Sequence, residues 1–175
     1  MRMVNLPGRN VPSEAAIYSY VGVERGLAEF RCGRPVVILG DQGVAAMPLD
    51  GCSDELLQSF RLTFGVTALK FAVSARRACA LGIKTQTAVS IESTQELSIH
   101  DVLPVAGEKS LPQGVQVTRA TSAMEAGIDL AKLVGRLPAV LTAELRSAER
   151  HDQAFAKFEA SAVSGFRQHL VDSVE

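Results

Sequence analysis

The chain has 175 residues, the size of one ordinary domain, and 47% of them are hydrophobic, which is enough to bury a sizeable core. Its 18 basic and 19 acidic residues leave a net charge of -1, so it has no global field to attract nucleic acid or an anionic membrane. The sequence shows neither the apolar core of a signal peptide nor a bilayer-length apolar run, so we expect a cytoplasmic protein. The three cysteines (Cys32, Cys52 and Cys79) are too far apart for a metal knuckle, and we expect them to be reduced.

The first elements are a predicted helix and a predicted hairpin. The segment YVGVERGLAEFRCG favours a helix, because Val23, Leu27 and Phe30 share one face and Gly33 suits its end. PVVIL then follows as a buried strand. VAAM, after the turn GDQG, is its predicted hairpin partner.

Two serines mark the starts of the next two helices. Ser53 is predicted to cap a helix in which Leu56, Leu57 and Phe60 face the core. The alternation in TALKFAV indicates a strand, after which Ser74 is predicted to cap a short basic helix. A strand followed by a short helix is therefore expected here.

The second half repeats the alternation of strands and helices. TQTAVSI and GVQVTR are predicted strands, with residues 92–114 between them left without an assignment. Ser122 and Glu125 fit a capping box that begins a helix, and Gly135 suits its end. AVLTAEL is the next strand.

The end of the chain, HDQAFAKFEASAVSGFRQHLV, is predicted to be one amphipathic helix. Its apolar stripe consists of Phe155, Phe158, Ala162, Phe166 and Leu170. Taken together, the elements predict an α+β fold, an α/β-like three-layer arrangement with a mixed β-sheet flanked by helices.

Motifs for nucleotide or metal chemistry are not visible. The chain has no Gly-x-Gly-x-x-Gly after a strand and no phosphate loop ending in Gly-Lys-Ser/Thr. The histidines (His100, His151 and His169) share no motif spacing, and a solvated surface histidine explains the last two. We therefore expect no metal site.

Two sets of residues are candidates for a site, although each also has a structural explanation. Ser74, Arg76 and Arg77 could hold a phosphate at a helix N-terminus, but a capped helix with a solvated basic face explains the same residues, and we favour that interpretation. The second set lies near predicted strand ends or helix starts, where sites in α/β sheets tend to lie. It consists of the carboxylates Asp41, Glu92, Glu125 and Glu144.

Several stretches, in the right order, resemble the 3,4-dihydroxy-2-butanone 4-phosphate synthase family of riboflavin biosynthesis. They are VERGLAEFRCGRPVVIL, SDELLQSFRLTFG, ALKFAVSARRACALGI, TAVSIES and, without a gap, MEAGIDLAKLVGRLPAVLTAEL. The resemblance covers roughly residues 20–145 and implies that family's mixed-sheet fold. It also implies, as candidate relics of a site, Asp41, Glu125 and Glu144.

The departures from the family pattern concern its chemistry. GDQGVAAM stands where the resemblance implies a long acidic loop that binds the divalent metal. Residues 122–124 are Ser-Ala-Met, where the resemblance implies a Gly-His-Thr whose histidine binds the metal. Residues 63–65 are Thr-Phe-Gly, where it implies an Arg-His-Gly. The family reaction needs a metal to polarise oxygens and placed acids and bases. Because the magnesium ligands are not retained, we expect no cofactor and no synthase activity.

Degenerate domains of this type resemble the N-terminal half of proteins that end in GTP cyclohydrolase II. This implies an N-terminal extension at residues 1–19, a synthase-like domain at 20–149 and a C-terminal helix at 150–175 that leads toward a cyclohydrolase domain. Three functions stay open: a scaffold for dimerisation or for a GTP cyclohydrolase II partner, an enzyme with a remodelled site for a phosphorylated sugar or nucleotide, and a regulatory module that binds such a metabolite. We favour the scaffold and expect a homodimer.

Overall fold

The computed structural model describes residues 14–66, 69–93, 97–108, 111–145 and 154–172. The helices in these ranges are α1 (Glu14–Arg31), α2 (Asp54–Phe64), α3 (Ala75–Ala80), α4 (Ile99–Gly107), α5 (Ser122–Leu133) and α6 (Ala160–Asp172). The strands are β1 (Val36–Leu39), β2 (Val44–Pro48), β3 (Lys70–Val73), β4 (Val89–Ser93), β5 (Val115–Arg119), β6 (Ala139–Glu144) and β7 (Lys157–Glu159).

The strands form one mixed sheet in the order β5-β4-β3-β6-β2-β1-β7. Neighbouring strands are antiparallel except β1 and β7, which run parallel. The predicted α+β class, with a mixed sheet flanked by helices, is confirmed.

Each face of the sheet carries its own apolar layer. On one face, Phe60 of α2, Ala78 of α3 and Val102 of α4 pack with Phe71 of β3. On the other face, α1, α5 and α6 contribute the buried residues Phe30, Leu130 and Val163, which pack with Ile38 and Val140. The fold is therefore a three-layer arrangement with helices on both faces, because alternate residues of each strand point to opposite faces.

Several predicted elements are confirmed with their caps. β1 and β2 form the expected hairpin, with Val36 opposite Ala46. The N–H of Leu56 donates to Ser53 Oγ, and the N–H of Arg77 donates to Ser74 Oγ. These bonds satisfy helix N–H groups that have no partner within the helix.

Three details of the predicted elements are wrong or incomplete. Leu56 is 38% exposed, because the core-facing stripe of α2 passes through Leu57 and Phe60 instead. α1 begins at Glu14, six residues before the predicted start. The unassigned segment 92–114 contains α4, which begins with a capping box made by Ser98 and Asp101.

The predicted capping box at Ser122 is shifted by one residue. Thr121 is the N-cap of α5, and its hydroxyl accepts a hydrogen bond from the N–H of Met124 at 3.3 Å. Ser122 is the first helical residue, so it has helical dihedral angles and does not occupy the capping position.

The single helix predicted at the end of the chain is also wrong. Residues 151–153 lie outside the described residues, and Lys157–Glu159 form β7, which pairs in parallel with β1. Phe158 is buried beside Gly26 of α1, where any side chain larger than hydrogen would collide with its ring. Leu170, predicted to continue the apolar stripe, is 42% exposed. A short apolar run suits both a helix and a strand, and here the open edge of β1 selects the strand.

The predicted division at residues 19 and 149 stays a prediction, although α1 begins within the first segment and β7 places part of the last one in the common sheet. Within the described ranges, none of the helices combines the length and the apolar character that crossing a membrane requires.

Candidate functional site

A cleft of about 440 Å³ lies where β1 ends and where α5 and α6 begin. Its carboxylates are Asp41, Glu125, Asp129 and Glu159, and its hydroxyls are Ser122, Ser161 and Ser164. The cleft thus brings together two of the predicted site residues, Asp41 and Glu125.

The local sequence explains how these side chains come together. Asp41 lies in the turn between β1 and β2, directly after Gly40. A Cβ at Gly40 would lie 3.4 Å from Ser122 Oγ and 3.8 Å from Ala123 Cβ, which are ordinary van der Waals distances, so the start of α5 packs against this turn. Glu125 is in the first turn of α5, where the positive end of the helix dipole favours a carboxylate.

The charge of the cleft is strongly negative. One of these carboxylates, Asp129, forms ion pairs, at 2.8 Å to Lys132 Nζ and 3.9 Å to Arg167 Nη1. No lysine or arginine is among the described residues that line the cleft. Such a lining favours a cation or a neutral hydroxylated molecule over an anion.

Glu144 and Glu92 belong to a second group, centred on Lys70. The Lys70 ammonium lies 2.6 Å from Glu144 Oε1 and 3.4 Å from Glu92 Oε2. Lys70 is opposite Glu92 in β4 and opposite Thr142 in β6, so the sheet register brings the three charges together. The hydrogen bond to Glu144 is the main cause of the raised pKa of Lys70.

The residues that stand where the resemblance implies polar side chains are part of the core. Ala123 is completely buried and Met124 is 4% exposed, both in the apolar layer of α1, α5 and α6. Phe64 is 2% exposed, and its ring centroid lies 4.9 Å from that of Phe60 and 5.2 Å from that of Phe155. Packing accounts for all three side chains.

The candidate phosphate-binding residues mainly have structural partners. Arg77 Nε donates to Val105 O at 2.8 Å, and its Nη2 donates to Pro104 O at 3.0 Å, so this guanidinium joins α3 to the end of α4. Ser74 caps α3, which has six residues, and Arg76 is exposed. The favoured structural interpretation accounts for Ser74 and Arg77.

The side chains present do not fit a divalent metal site. Across the described ranges, no three or more His, Cys, Asp or Glu side chains are grouped so that they could hold a metal ion. His169 is exposed and stacks on Tyr20 at 5.5 Å between ring centroids, and His151 lies outside the described residues. A magnesium site would need several converging oxygen ligands.

Three charged residues of these two groups were missed from the sequence. Asp129 follows Glu125 by one helical turn, and this spacing could have indicated that both carboxylates point the same way. Lys70 interrupts the apolar strand TALKFAV on the face opposite Phe71, and that position signals a charge at the end of a strand. No sequence signal placed Glu159 near the cleft, because the segment that forms β7 was predicted to be part of a helix.

Comparison with known proteins identifies the fold. No family model and no curated protein matches the chain. Among solved structures, a two-domain 3,4-dihydroxy-2-butanone 4-phosphate synthase from A. baumannii aligns with a TM-score of 0.62 at 16% identity, over 83% of this chain and 57% of the other. This chain therefore spans just over half the length of that protein.

Two further structures align over nearly their whole length. The 3,4-dihydroxy-2-butanone 4-phosphate synthase of Candida albicans has a TM-score of 0.58 at 16% identity, over 83% of this chain and 96% of the other. A cation-free form of this type of synthase has a TM-score of 0.57 at 13% identity, over 82% and 95%. The chain has the fold of 3,4-dihydroxy-2-butanone 4-phosphate synthase.

Proposed function

We propose that the chain is a non-catalytic, synthase-like domain in riboflavin biosynthesis. Its role is to dimerise or to support a GTP cyclohydrolase II, in the manner of a scaffold. The fold is that of the synthase over about 83% of the chain, whereas the polar positions expected of the enzyme family are occupied by side chains that serve packing and ion pairing.

The observation that carries the proposal is the ion pair between Lys70 and Glu144, at 2.6 Å. Glu144 is one of the two carboxylates, with Glu125, that the gap-free resemblance implies as candidate relics of a site. An ammonium group already compensates its charge, and the same ammonium contacts Glu92. A carboxylate that holds an ammonium at this distance is a poor free ligand for a metal, because the two cations compete for the same oxygen atoms.

The start of α5 supports the proposal independently. Ala123 stands where the resemblance implies a metal-binding histidine, and its methyl group has no solvent exposure. Met124, the next residue, is packed in the same apolar layer. Restoring a histidine would therefore require displacement of core atoms as well as a change of side chain.

The alternative functions fit the cleft less well. A remodelled enzyme or a regulatory module for a phosphorylated sugar or nucleotide would need positive charge against the phosphate. The cleft instead carries the carboxylates Asp41, Glu125, Asp129 and Glu159, with no basic side chain among its described lining residues. Repulsion between these carboxylates and a phosphate disfavours such a ligand.

An assay for formate tests the absence of catalysis. Purified chain is incubated with ribulose 5-phosphate and magnesium, and formate is measured, with the synthase of Candida albicans as the positive control. We expect formate at the level of a blank without protein. Formate release at a rate comparable to that of the control would overturn the proposal.

A second experiment tests the supporting role. The chain is mixed with purified GTP cyclohydrolase II from the same organism, and the molar mass of the eluting species is measured by light scattering. We expect a homodimer of the chain or a complex with the cyclohydrolase. A chain that stays monomeric alone and elutes separately from the cyclohydrolase would contradict this role.

A further inference from the structure

Residues 154–172 contain β7 and α6 and lie along the outer edge of β1; we call them the C-terminal strap. The ladder between β7 and β1 has three residue pairs and is parallel, and just before it the N–H of Val37 donates to Ala156 O at 2.9 Å. Parallel pairing is slightly less stable per residue than the antiparallel pairing of the other ladders in this sheet. Backbone hydrogen bonds therefore hold the strap less firmly than they hold the rest of the sheet.

Apolar side chains are the main anchors of the strap. Phe158, Val163 and Phe166 are buried in the layer of α1, α5 and α6. The ring of Phe158 occupies the space beside Gly26, where an added Cβ would collide with it. The ring of Phe166 meets that of Tyr20 on α1 edge to face, at 5.8 Å between centroids. These contacts all belong to residues 154–172 on one side, so they are made or lost together.

Two further contacts join the strap to the rest of the chain. The ring centroid of Phe155 lies 5.2 Å from that of Phe64 at the end of α2. Arg167 Nη1 lies 3.9 Å from Asp129 Oδ1 on α5, and the side chain of Arg167 is largely exposed. An exposed ion pair of this length contributes little to stability. Apolar packing is therefore the main source of the docking energy.

The strap also forms one wall of the cleft. Glu159, Ser161 and Ser164 belong to the strap, whereas Asp41 and Glu125 lie on the turn and on α5 opposite to it. Where the cleft lies, the two walls do not touch, and the strap lacks there the dispersion contacts that it makes at Phe158. The cleft exists in its present form only while the strap is docked.

We propose that the C-terminal strap opens as one unit while the six remaining strands stay paired, and that its opening removes one wall of the cleft. Antiparallel ladders join these six strands in the order β5-β4-β3-β6-β2-β1 without any contribution from β7. Opening breaks only the contacts of residues 154–172, so it costs less free energy than global unfolding. The open state gives molecules too large for the closed cleft access to Asp41 and Glu125. The inference concerns access to the cleft and goes beyond the proposed scaffold function.

Two neighbouring amides of β1 report on the two sides of this strand. The N–H of Val37 donates to the strap, and because alternate N–H groups of a strand point in opposite directions, that of Ile38 points to β2. Hydrogen exchange of the whole chain is measured by NMR at increasing urea concentrations below the unfolding transition. We expect a protection factor about tenfold or more lower for Val37 than for Ile38, with a smaller dependence on urea. The amides of Val163 and Phe166 should match Val37 in both respects.

Two alanine substitutions separate opening of the strap from global unfolding. Val102→Ala removes a fully buried side chain in the layer of α2, α3 and α4, which opening of the strap leaves in place. It should accelerate the exchange of Ile38 by about tenfold or more and leave that of Val37 unchanged. Phe158→Ala is the matched substitution within the strap. It should accelerate both amides by the same factor, because the contacts of Phe158 are lost in the open state and in the unfolded state alike.

Three results would overturn the proposal. The first is equal acceleration of Val37 and Ile38 in Val102→Ala, because the strap would then be released only by global unfolding. The second is a protection factor for Val163 or Phe166 that differs from that of Val37, because the strap would then not open as one unit. The third is a common urea dependence of Val37 and Ile38 in the unsubstituted chain, which decides the question even if a variant fails to fold.

Discussion

The carboxylates of the molecule form two groups with opposite electrostatic situations. In the first group, Glu92 and Glu144 share the ammonium of Lys70 across three neighbouring strands. In the second, Asp41 and Glu125 line an open cleft with further carboxylates and no basic side chain among the described lining residues. The register of the sheet brings a compensating ammonium to the first group, whereas in the second group the compensating side chains, Lys132 and Arg167, lie beside Asp129 and not beside Asp41.

The two groups differ in the structural elements that determine the positions of their charges. The position of Lys70 is set by strand pairing, so the register of the sheet places its ammonium within reach of Glu92 and Glu144. The cleft instead lies where a hairpin turn meets the starts of two helices, and water can screen its charges. Substitutions in the two regions should therefore differ in their effect on stability.

The largest effect is expected from Ala123→His, which restores the imidazole that the family resemblance implies at the start of α5. Ala123 has no solvent exposure, so the larger side chain must displace packed atoms. Overpacking of this kind costs about 1–3 kcal/mol. We expect the free energy of unfolding, measured in urea, to fall by about 2 kcal/mol.

Ser122→His is the matched control, because it places the same side chain one residue earlier at an exposed position. It should change the free energy of unfolding by less than about 0.5 kcal/mol. Neither variant should release formate from ribulose 5-phosphate. A stable Ala123→His variant that binds magnesium would contradict the conclusion that packing has closed this position.

Local sequence signals were sufficient for most of the fold. Ser53 and Ser74 were correctly predicted as caps, because a hydroxyl before an apolar-periodic segment has few other uses. β3 was also predicted, since Phe71 and Val73 alternate with less apolar neighbours. β7 was missed because three residues are too few to show a period, and its strand conformation depends on pairing with β1.

The candidate site was predictable only in part. Asp41 and Glu125 do share a cleft, but Glu144 does not line it, because Glu144 lies at the end of β6, where it pairs with Lys70 of β3. The partner of Glu144 is 74 residues away along the chain. A contact of that separation depends on strand order and register, and neither follows from local periodicity.

The cap of α5 is expected to have the next largest effect, since α5 carries Glu125 into the cleft. Thr121→Ala removes the hydroxyl that accepts from the N–H of Met124. We expect a loss of about 1 kcal/mol in the free energy of unfolding. Ser122→Ala, at the first helical residue, should cost less than about 0.5 kcal/mol. If Ser122→Ala lowered the free energy of unfolding more than Thr121→Ala did, Ser122 would be the N-cap, as predicted from the sequence.

A smaller effect is expected from the charge group centred on Lys70. The side chain of Lys70 is 23% exposed and that of Glu144 is 62% exposed, so solvent screens much of their attraction. A double-mutant cycle with Lys70→Met and Glu144→Gln should give a coupling free energy of about 0.5 kcal/mol at pH 7. A coupling of zero would mean that the ion pair contributes nothing measurable.

The pH dependence of this coupling follows from the raised pKa of Lys70, whose ordinary value is 10.5. A lysine with a raised pKa in the folded state binds its proton more tightly there than in the unfolded state. Its contribution to stability is therefore complete below 10.5 and is lost as the pH rises through the folded-state pKa. The cycle should give the same coupling free energy at pH 7 and at pH 9. A coupling free energy that persists when Lys70 is fully deprotonated would exclude an ionic origin.

The smallest effect is expected in the cleft, where two aspartates should respond with opposite signs. Asp41→Asn removes one of several like charges, so we expect the free energy of unfolding to rise by about 0.3 kcal/mol. Asp129→Asn removes the partner of Lys132 and Arg167 and should lower it by about the same amount. Both changes should vanish in molar salt, where the screening length is about 3 Å. If both substitutions lowered the free energy of unfolding, the carboxylates of the cleft would not repel one another measurably. The cleft and the Lys70 group would then differ in the positions of their charges but not in their electrostatic energies.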